Sequence, residues 1–237
     1  MRQCRIPVFL FDMNKRLNCI LSLIPDGKGV IDVGTDHGYL PVALIRRGYP
    51  GRVYASDIRS GPLSAARQSA QKAGLEGRIE FLLCDGLEGC DPNAVDTIVI
   101  AGMGGDTICG ILDRAEWCMD KRYTLVLQPM TRAEVLRYWL VYNEFAILKE
   151  TLVEDGGILY SVLTAQFGGN TKLSDAELFT GSFESLRAQP LFRDFLELQI
   201  QRFEHMLAGL EQAQDAAPPG RQCLLQTILS ELKEERV

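Results

Sequence analysis

The chain has 237 residues, 46% apolar and 24% charged; a chain of this size and composition buries a core without disulfide or metal staples and is not intrinsically disordered. Its net charge of −6 argues against a nucleic-acid partner, but residues 1–78 carry 12 Lys/Arg against 6 Asp/Glu. That leaves room for a local cationic face including Arg2, Arg5, Lys15, Arg16, Arg46, Arg47, Arg52 and Arg59.

The run Ile6–Phe11 is closed by Asp12 and Lys15 too early for a signal-peptide core. No window approaches the roughly 18 apolar residues of a membrane span, so a cytoplasmic protein is expected. Gly29–Gly34 is an apolar run stopping at glycine, and a helix is expected over 39–47. Val53–Ser56, Ile79–Leu83, Thr97–Ala101 and Tyr123–Leu127 read as further strands, with helices over 62–73, 105–115 and 132–142 between them. Apolar strands alternating with helices predict a doubly wound, Rossmann-like parallel sheet of the α/β class. Phe145–Val153 and Ile158–Phe167 are joined by only four residues. A parallel crossover needs about a dozen, so these form an antiparallel hairpin and the sheet ends on a reversed strand.

Gly168-Gly169-Asn170 reads as a linker. Beyond it Phe192, Leu196, Ile200, Phe203, Leu207 and Leu210 form one helical stripe, and Leu224, Leu225, Ile228, Leu229 and Leu232 a second. The break at Ala216–Gly220 makes them an antiparallel helical hairpin. The expected division is a catalytic domain over 1–168 and a helical, coiled-coil-like domain over 169–237. Seven cysteines with no CxxC spacing, and only His37 and His205, fit neither a zinc site nor a disulfide framework, so no metal is expected.

In an open α/β sheet, ligands bind beyond the carboxyl ends of the strands. The first strand ends in Asp32-Val33-Gly34-Thr35-Asp36-His37-Gly38-Tyr39. A dinucleotide fingerprint would need glycines at 36 and 39, and the carboxylate of Asp36 would repel a pyrophosphate. This disfavours a nicotinamide oxidoreductase and suits S-adenosyl-L-methionine, whose aminoacyl end carries an ammonium beside a sulfonium. Asp57, followed by Ile58, ends the second strand where a carboxylate can hold a ribose diol. Asp85-Gly86 ends the third, where an adenine amino group can be read; Ala101-Gly102-Met103-Gly104-Gly105 ends the fourth with little side-chain bulk, so a planar base can lie against it. Singly, each such Asp is as readily a helix cap. Together with the terminal hairpin, they outline the class I methyltransferase layout.

The runs Asp32–Pro41 and Ile100–Gly105, with Arg16-Leu17, Leu127-Gln128-Pro129 and the Glu150…Tyr160 hairpin, resemble the signatures of the bacterial tRNA (adenine-22-N1)-methyltransferase family. The resemblance covers about residues 14–167 and continues more loosely through Glu177–Gly181; Met130 stands where such chains often carry Asn. It implies methyl transfer from S-adenosylmethionine to N1 of adenine 22, in the D-arm region of tRNA, by an enzyme expected to be a monomer. Asp32, Gly34, Asp57, Ile58, Asp85, Gly86, Ala101, Gly102 and Met103 are then expected at the cofactor. Arg16, Gly104, Gly105 and Gln128 are expected at the substrate, and Asp36, His37 and Tyr39 at the reaction. Asp36 serves either the cofactor ammonium or the charge developing on adenine; His37 donates to the base or relays a proton; Tyr39 stacks on the base or merely begins a helix. Methylation of another RNA, a protein or a small molecule, and a non-catalytic RNA-binding role, are the alternatives.

Overall fold

The computed structural model describes residues 13–212 and 220–236. Arg2, Cys4, Arg5, the Ile6–Phe11 run and most of the Ala216–Gly220 break lie outside them. In chain order the elements are α1 (Lys15–Leu23), β1 (Gly29–Val33), α2 (Tyr39–Arg46), β2 (Arg52–Asp57), α3 (Ser60–Lys72), β3 (Ile79–Leu83), β4 (Thr97–Gly104), α4 (Gly105–Asp113), β5 (Thr124–Thr131), α5 (Ala133–Tyr142), β6 (Phe145–Asp155) and β7 (Ile158–Phe167). The helices α6 (Asp175–Thr180), α7 (Phe183–Leu186), α8 (Phe192–Gln212) and α9 (Arg221–Glu235) follow.

The seven strands form one sheet in the order β3-β2-β1-β4-β5-β7-β6. β1 to β5 run parallel, and β7 is antiparallel to both β5 and β6. The expected doubly wound sheet with an antiparallel last strand is the one observed, but that strand, β7, lies inside β6, which forms the edge and runs parallel with β1 to β5. Strand order turns back between β1 and β4, the place where such sheets open a crevice.

Alternation along the central strands divides the core between two faces. Ile31, Ile98, Ile100, Leu125 and Leu127 pack with Ile108 and Leu112 of α4 and Leu136 and Leu140 of α5. Val30, Val99 and Val126 pack on the other face with Ile20 of α1 and Leu40 and Leu44 of α2. A third cluster gathers Phe195, Leu196 and Phe203 of α8 with Ile228 and Leu232 of α9, and takes in Leu152 of β6.

Three helices are additions to the sequence reading. Leu17, Ile20, Leu21 and Ile24 recur at helical spacing. The Asn14 side chain accepts from Leu17 N at 2.9 Å to start α1, and Arg47 donates to Leu21 O and Ile24 O at its end. The short α6 is fixed by a capping box between Ser174 and Glu177, and α7 follows it within three residues.

Candidate active site

A cavity of about 300 Å³ opens at the switch point, lined in part by Asn14, Arg16, Asp32, Asp36, His37 and Gly102. Its floor is the β1–α2 loop. Gly34 N and Thr35 N donate to Ser56 O at 2.8 and 2.9 Å, tying this loop to the end of β2. Gly34 has φ +72, a backbone conformation that favours glycine, and a Cβ there would fall 2.2 Å from Met103 Cε. Asp36 also adopts a left-handed conformation, φ +51, which turns its exposed carboxylate out beside His37 at 3.7 Å. The His37 ring stacks on Tyr39, centroids 5.4 Å apart, and Tyr39 is the first residue of α2.

Asp32 is buried. Burial pushes its carboxyl up to about 6, and the nearby charge of Asp57 adds to this, offset in part by the Thr35 hydroxyl. Facing it from α1 is Arg16, half-buried, whose Nη1 donates to Gln128 Oε1 at 2.6 Å. The cavity therefore sets a buried carboxylate and an exposed one against a guanidinium, a charge pattern complementary to an amino-acid zwitterion.

Asp57 stands buried at the end of β2, where Oδ1 accepts from Arg59 N at 2.9 Å; Oδ2 accepts from none of the described residues. Ile58 beside it is 62% exposed, an apolar surface standing free at the strand end. Asp85, after β3, accepts from Arg114 Nη2 at 2.9 Å. Ser56 Oγ donates to Gly86 O at 3.2 Å, linking these two strand ends.

Of the expected residues, Arg16, Asp32, Gly34, Asp36, His37, Tyr39, Ala101 and Gly102 share the cavity wall. Asp57, Ile58, Asp85 and Gly86 lie along the adjoining strand ends, and Met103 touches the loop at Gly34. Three of the residues expected at the substrate lie outside the wall of this cavity. Gln128 does not reach the cavity: it is fully buried, Oε1 accepts from Arg16 and from Gly102 N at 3.1 Å, and Nε2 donates to Pro129 O at 2.8 Å. At Gly105 a Cβ would lie 2.1 Å from Arg132 O, so the close β5–α5 turn occupies that side. Gly104 faces Thr131 Oγ1 in the same way, at 3.2 Å.

The cationic face is also thinner than composition implies. Lys15 pairs with Glu154, Arg47 caps α1, and Arg59 lies 3.8 Å from Asp57. Asn14 and Leu17 line the cavity too; the helical spacing in α1 was the signal that would have drawn them in.

The methyltransferase domain family matches residues 13–163. The tRNA (adenine(22)-N(1))-methyltransferase of Bacillus subtilis is 31% identical over 210 residues, 86% of this chain and 87% of that protein. The crystal structure of the B. subtilis M1A22 tRNA methyltransferase TrmK superposes with a TM-score of 0.82 at 28% identity, covering 95% of this chain and 99% of that one. TrmK of M. capricolum, solved with the cofactor product S-adenosyl-homocysteine, matches with a TM-score of 0.77 at 25% identity over 92% of this chain and 95% of that one.

Proposed function

The chain belongs to the tRNA (adenine(22)-N(1))-methyltransferase family, and from that membership we infer that it methylates N1 of adenine 22 in tRNA with S-adenosyl-L-methionine. The observation that carries the reading is the cavity at the switch point, where Asp32 and Asp36 face Arg16.

The residues present fit the cofactor. Gly34 lines the cavity without adding a side chain to it. Asp32 and Asp36 offer carboxylates to an ammonium, and the free oxygen of Asp57 suits a ribose diol. Ile58 and Asp85 suit the face and the amino group of adenine. When bound, S-adenosylmethionine supplies a methyl group on a sulfonium.

Neutral adenine presents an in-plane lone pair at N1, so the reaction asks for alignment more than for a general base. Methylation at N1 would place positive charge on the adenine ring. Asp36, turned outward at the cavity rim, stabilises that charge. His37, held against Tyr39, is placed to hydrogen-bond the base. An adenine within folded tRNA must swing out of its stack to reach the site.

Residues 1–168 carry the methyl transfer in this reading, and the helices of 169–237 help hold tRNA by shape and phosphate contacts. The enzyme works as a monomer in the cytoplasm. The described residues contain no helix long and apolar enough to cross a membrane. The test is transfer of labelled methyl to unmodified tRNA transcripts carrying adenine or guanine at position 22. Label confined to adenine, recovered as N1-methyladenosine, is the expected result. Cofactor binding without label on either transcript would move the search to other substrates.

A further inference from the structure

We propose that Gln128 is a positioning residue: its one carbonyl oxygen holds both Arg16 of α1 and the backbone of Gly102, so that Arg16 meets the carboxylate of the cofactor's aminoacyl group. The inference rests on the cofactor assignment above and deepens it.

The orientation of the amide follows from its donor contact. Gln128 is fully buried in β5, and its Nε2 donates to Pro129 O at 2.8 Å. With the NH₂ group committed there, Oε1 must face the other way. It receives Arg16 Nη1 at 2.6 Å and Gly102 N at 3.1 Å. A charge-assisted bond of that length fixes a guanidinium that would otherwise sample many rotamers. Arg16 is further confined by Tyr160, whose ring centroid lies 5.8 Å from its Cζ.

Only Nη1 is committed by these contacts; among the described residues, the Nε and Nη2 of Arg16 donate to none. Arg16 shares the cavity with Asp32 and Asp36. A ligand holding its ammonium at the acids therefore has its carboxylate on the side of the guanidinium, and the planar fork of Arg matches a carboxylate. Gly102 has φ +78 where the β4–β5 register is irregular, so its N–H has no ladder partner from a regular pairing and Gln128 supplies one.

The experiment measures calorimetric affinity of the full chain for two probes, S-adenosylhomocysteine and 5′-methylthioadenosine, which lacks the aminoacyl carboxylate and ammonium. Arg16→Met is expected to weaken the homocysteine probe about tenfold and to leave the thioadenosine within twofold. Gln128→Met is expected to give a comparable selective loss, and the double variant no more than about twofold beyond Arg16→Met, the signature of residues acting through one another. Gln128→Asn keeps a polar amide but withdraws its acceptor from Arg16, and is expected to show the same selective loss should Gln128→Met fail to fold. Equal losses for both probes, an unchanged affinity in the Gln128 variants, or additive losses would overturn the positioning role. Failure of the wild-type chain to bind either probe would instead overturn the cofactor assignment.

Discussion

Arg137 of α5 and Glu150 of β6 form an ion pair in which each side chain is only 1% exposed. Arg137 Nε donates to Glu150 Oε1 at 3.1 Å, and its Nη2 to Ser161 Oγ at 3.1 Å. Its Nη1 reaches Leu178 O and Phe179 O near the end of α6, at 2.9 and 3.0 Å. One buried guanidinium thus joins the last helix of the sheet, the terminal hairpin and the first of the C-terminal helices. Gly181 is pressed onto the same pair, since a Cβ there would fall 2.2 Å from Glu150 Oε2.

Removing one member strands the other charge in a dry site, at a cost of about 3–5 kcal/mol. Arg137→Met and Glu150→Leu are each expected to lower the unfolding free energy by about that much in urea titrations. The double variant should lose less than the sum, because it strands no charge. Additive losses would show that the two groups do not act as a pair.

Burial raises the Asp32 carboxyl from 3.8 to about 6. Between those values the folded protein keeps a proton that the unfolded chain has released, so this group's contribution to stability is full below 3.8 and is lost as pH rises through 6. At pH 7 the ionised group costs the empty site up to about 3 kcal/mol. Asp32→Asn should therefore raise the thermal midpoint at pH 7, with the gain vanishing near pH 4, while weakening S-adenosylhomocysteine. Wild-type affinity for that probe should climb between pH 5 and 7, and the variant should not follow. A variant no more stable than wild type at pH 7 would contradict this account.

The two glycines of the site region separate in the same assays. At Gly34 the obstacle to a Cβ is the tip of the Met103 side chain, which can move, and the remaining cost is the backbone at φ +72. Gly34→Ala is expected to lose about 1–2 kcal/mol of stability and most of its affinity for S-adenosylhomocysteine. At Gly105 the obstacle is Arg132 O, a backbone atom at 2.1 Å. Gly105→Ala must open the β5–α5 turn, so it is expected to be the more destabilising of the two in urea titrations. The reverse ranking would contradict the packing argument.

The ends of β1 and β2 were legible in the sequence, where apolar runs stop at Gly34 and Asp57, whereas β4 and β5 run past their expected ends to Gly104 and Thr131. The four-residue Glu154–Gly157 connection likewise dictated the antiparallel hairpin. What sequence alone does not carry is how a polar side chain is used in three dimensions. The family resemblance put Gln128 at the substrate, yet its amide is spent on Arg16, Gly102 and Pro129. Arg47 counted toward a cationic face but caps α1 from a distant helix. The Arg137–Glu150 pair joins residues 13 positions apart with α6, and no periodicity announces such a contact.

Burial also orders the thiols. It pushes Cys109 and Cys118 up to about 12 and Cys90 up to about 11, whereas Cys223 on α9 is exposed. Alkylation requires an accessible thiolate. Iodoacetamide on the native protein at pH 8 should label Cys223 at least about a hundredfold faster than Cys109 or Cys118, as read by peptide mass spectrometry. Comparable rates would mean that the sheet face covering those thiols opens readily.

The proposed role of the C-terminal helices in holding tRNA calls for a variant that leaves their packing alone. Truncation after Gly169 would take Leu178 O and Phe179 O away from Arg137 and uncover Leu152, which belongs to the third apolar cluster. A loss of tRNA binding in the truncated chain would then report damage to the catalytic sheet as well. Arg202 lies on the exposed face of α8, so Arg202→Glu changes the charge offered to a phosphate without touching that core. It is expected to weaken tRNA binding about three- to tenfold at low salt and to reduce the log–log salt dependence by about one contact's worth. Affinity for S-adenosylhomocysteine and the thermal midpoint should stay as in the wild type. Unchanged tRNA affinity and salt dependence in Arg202→Glu would place the RNA away from this face of α8 and leave recognition to the residues around the cavity.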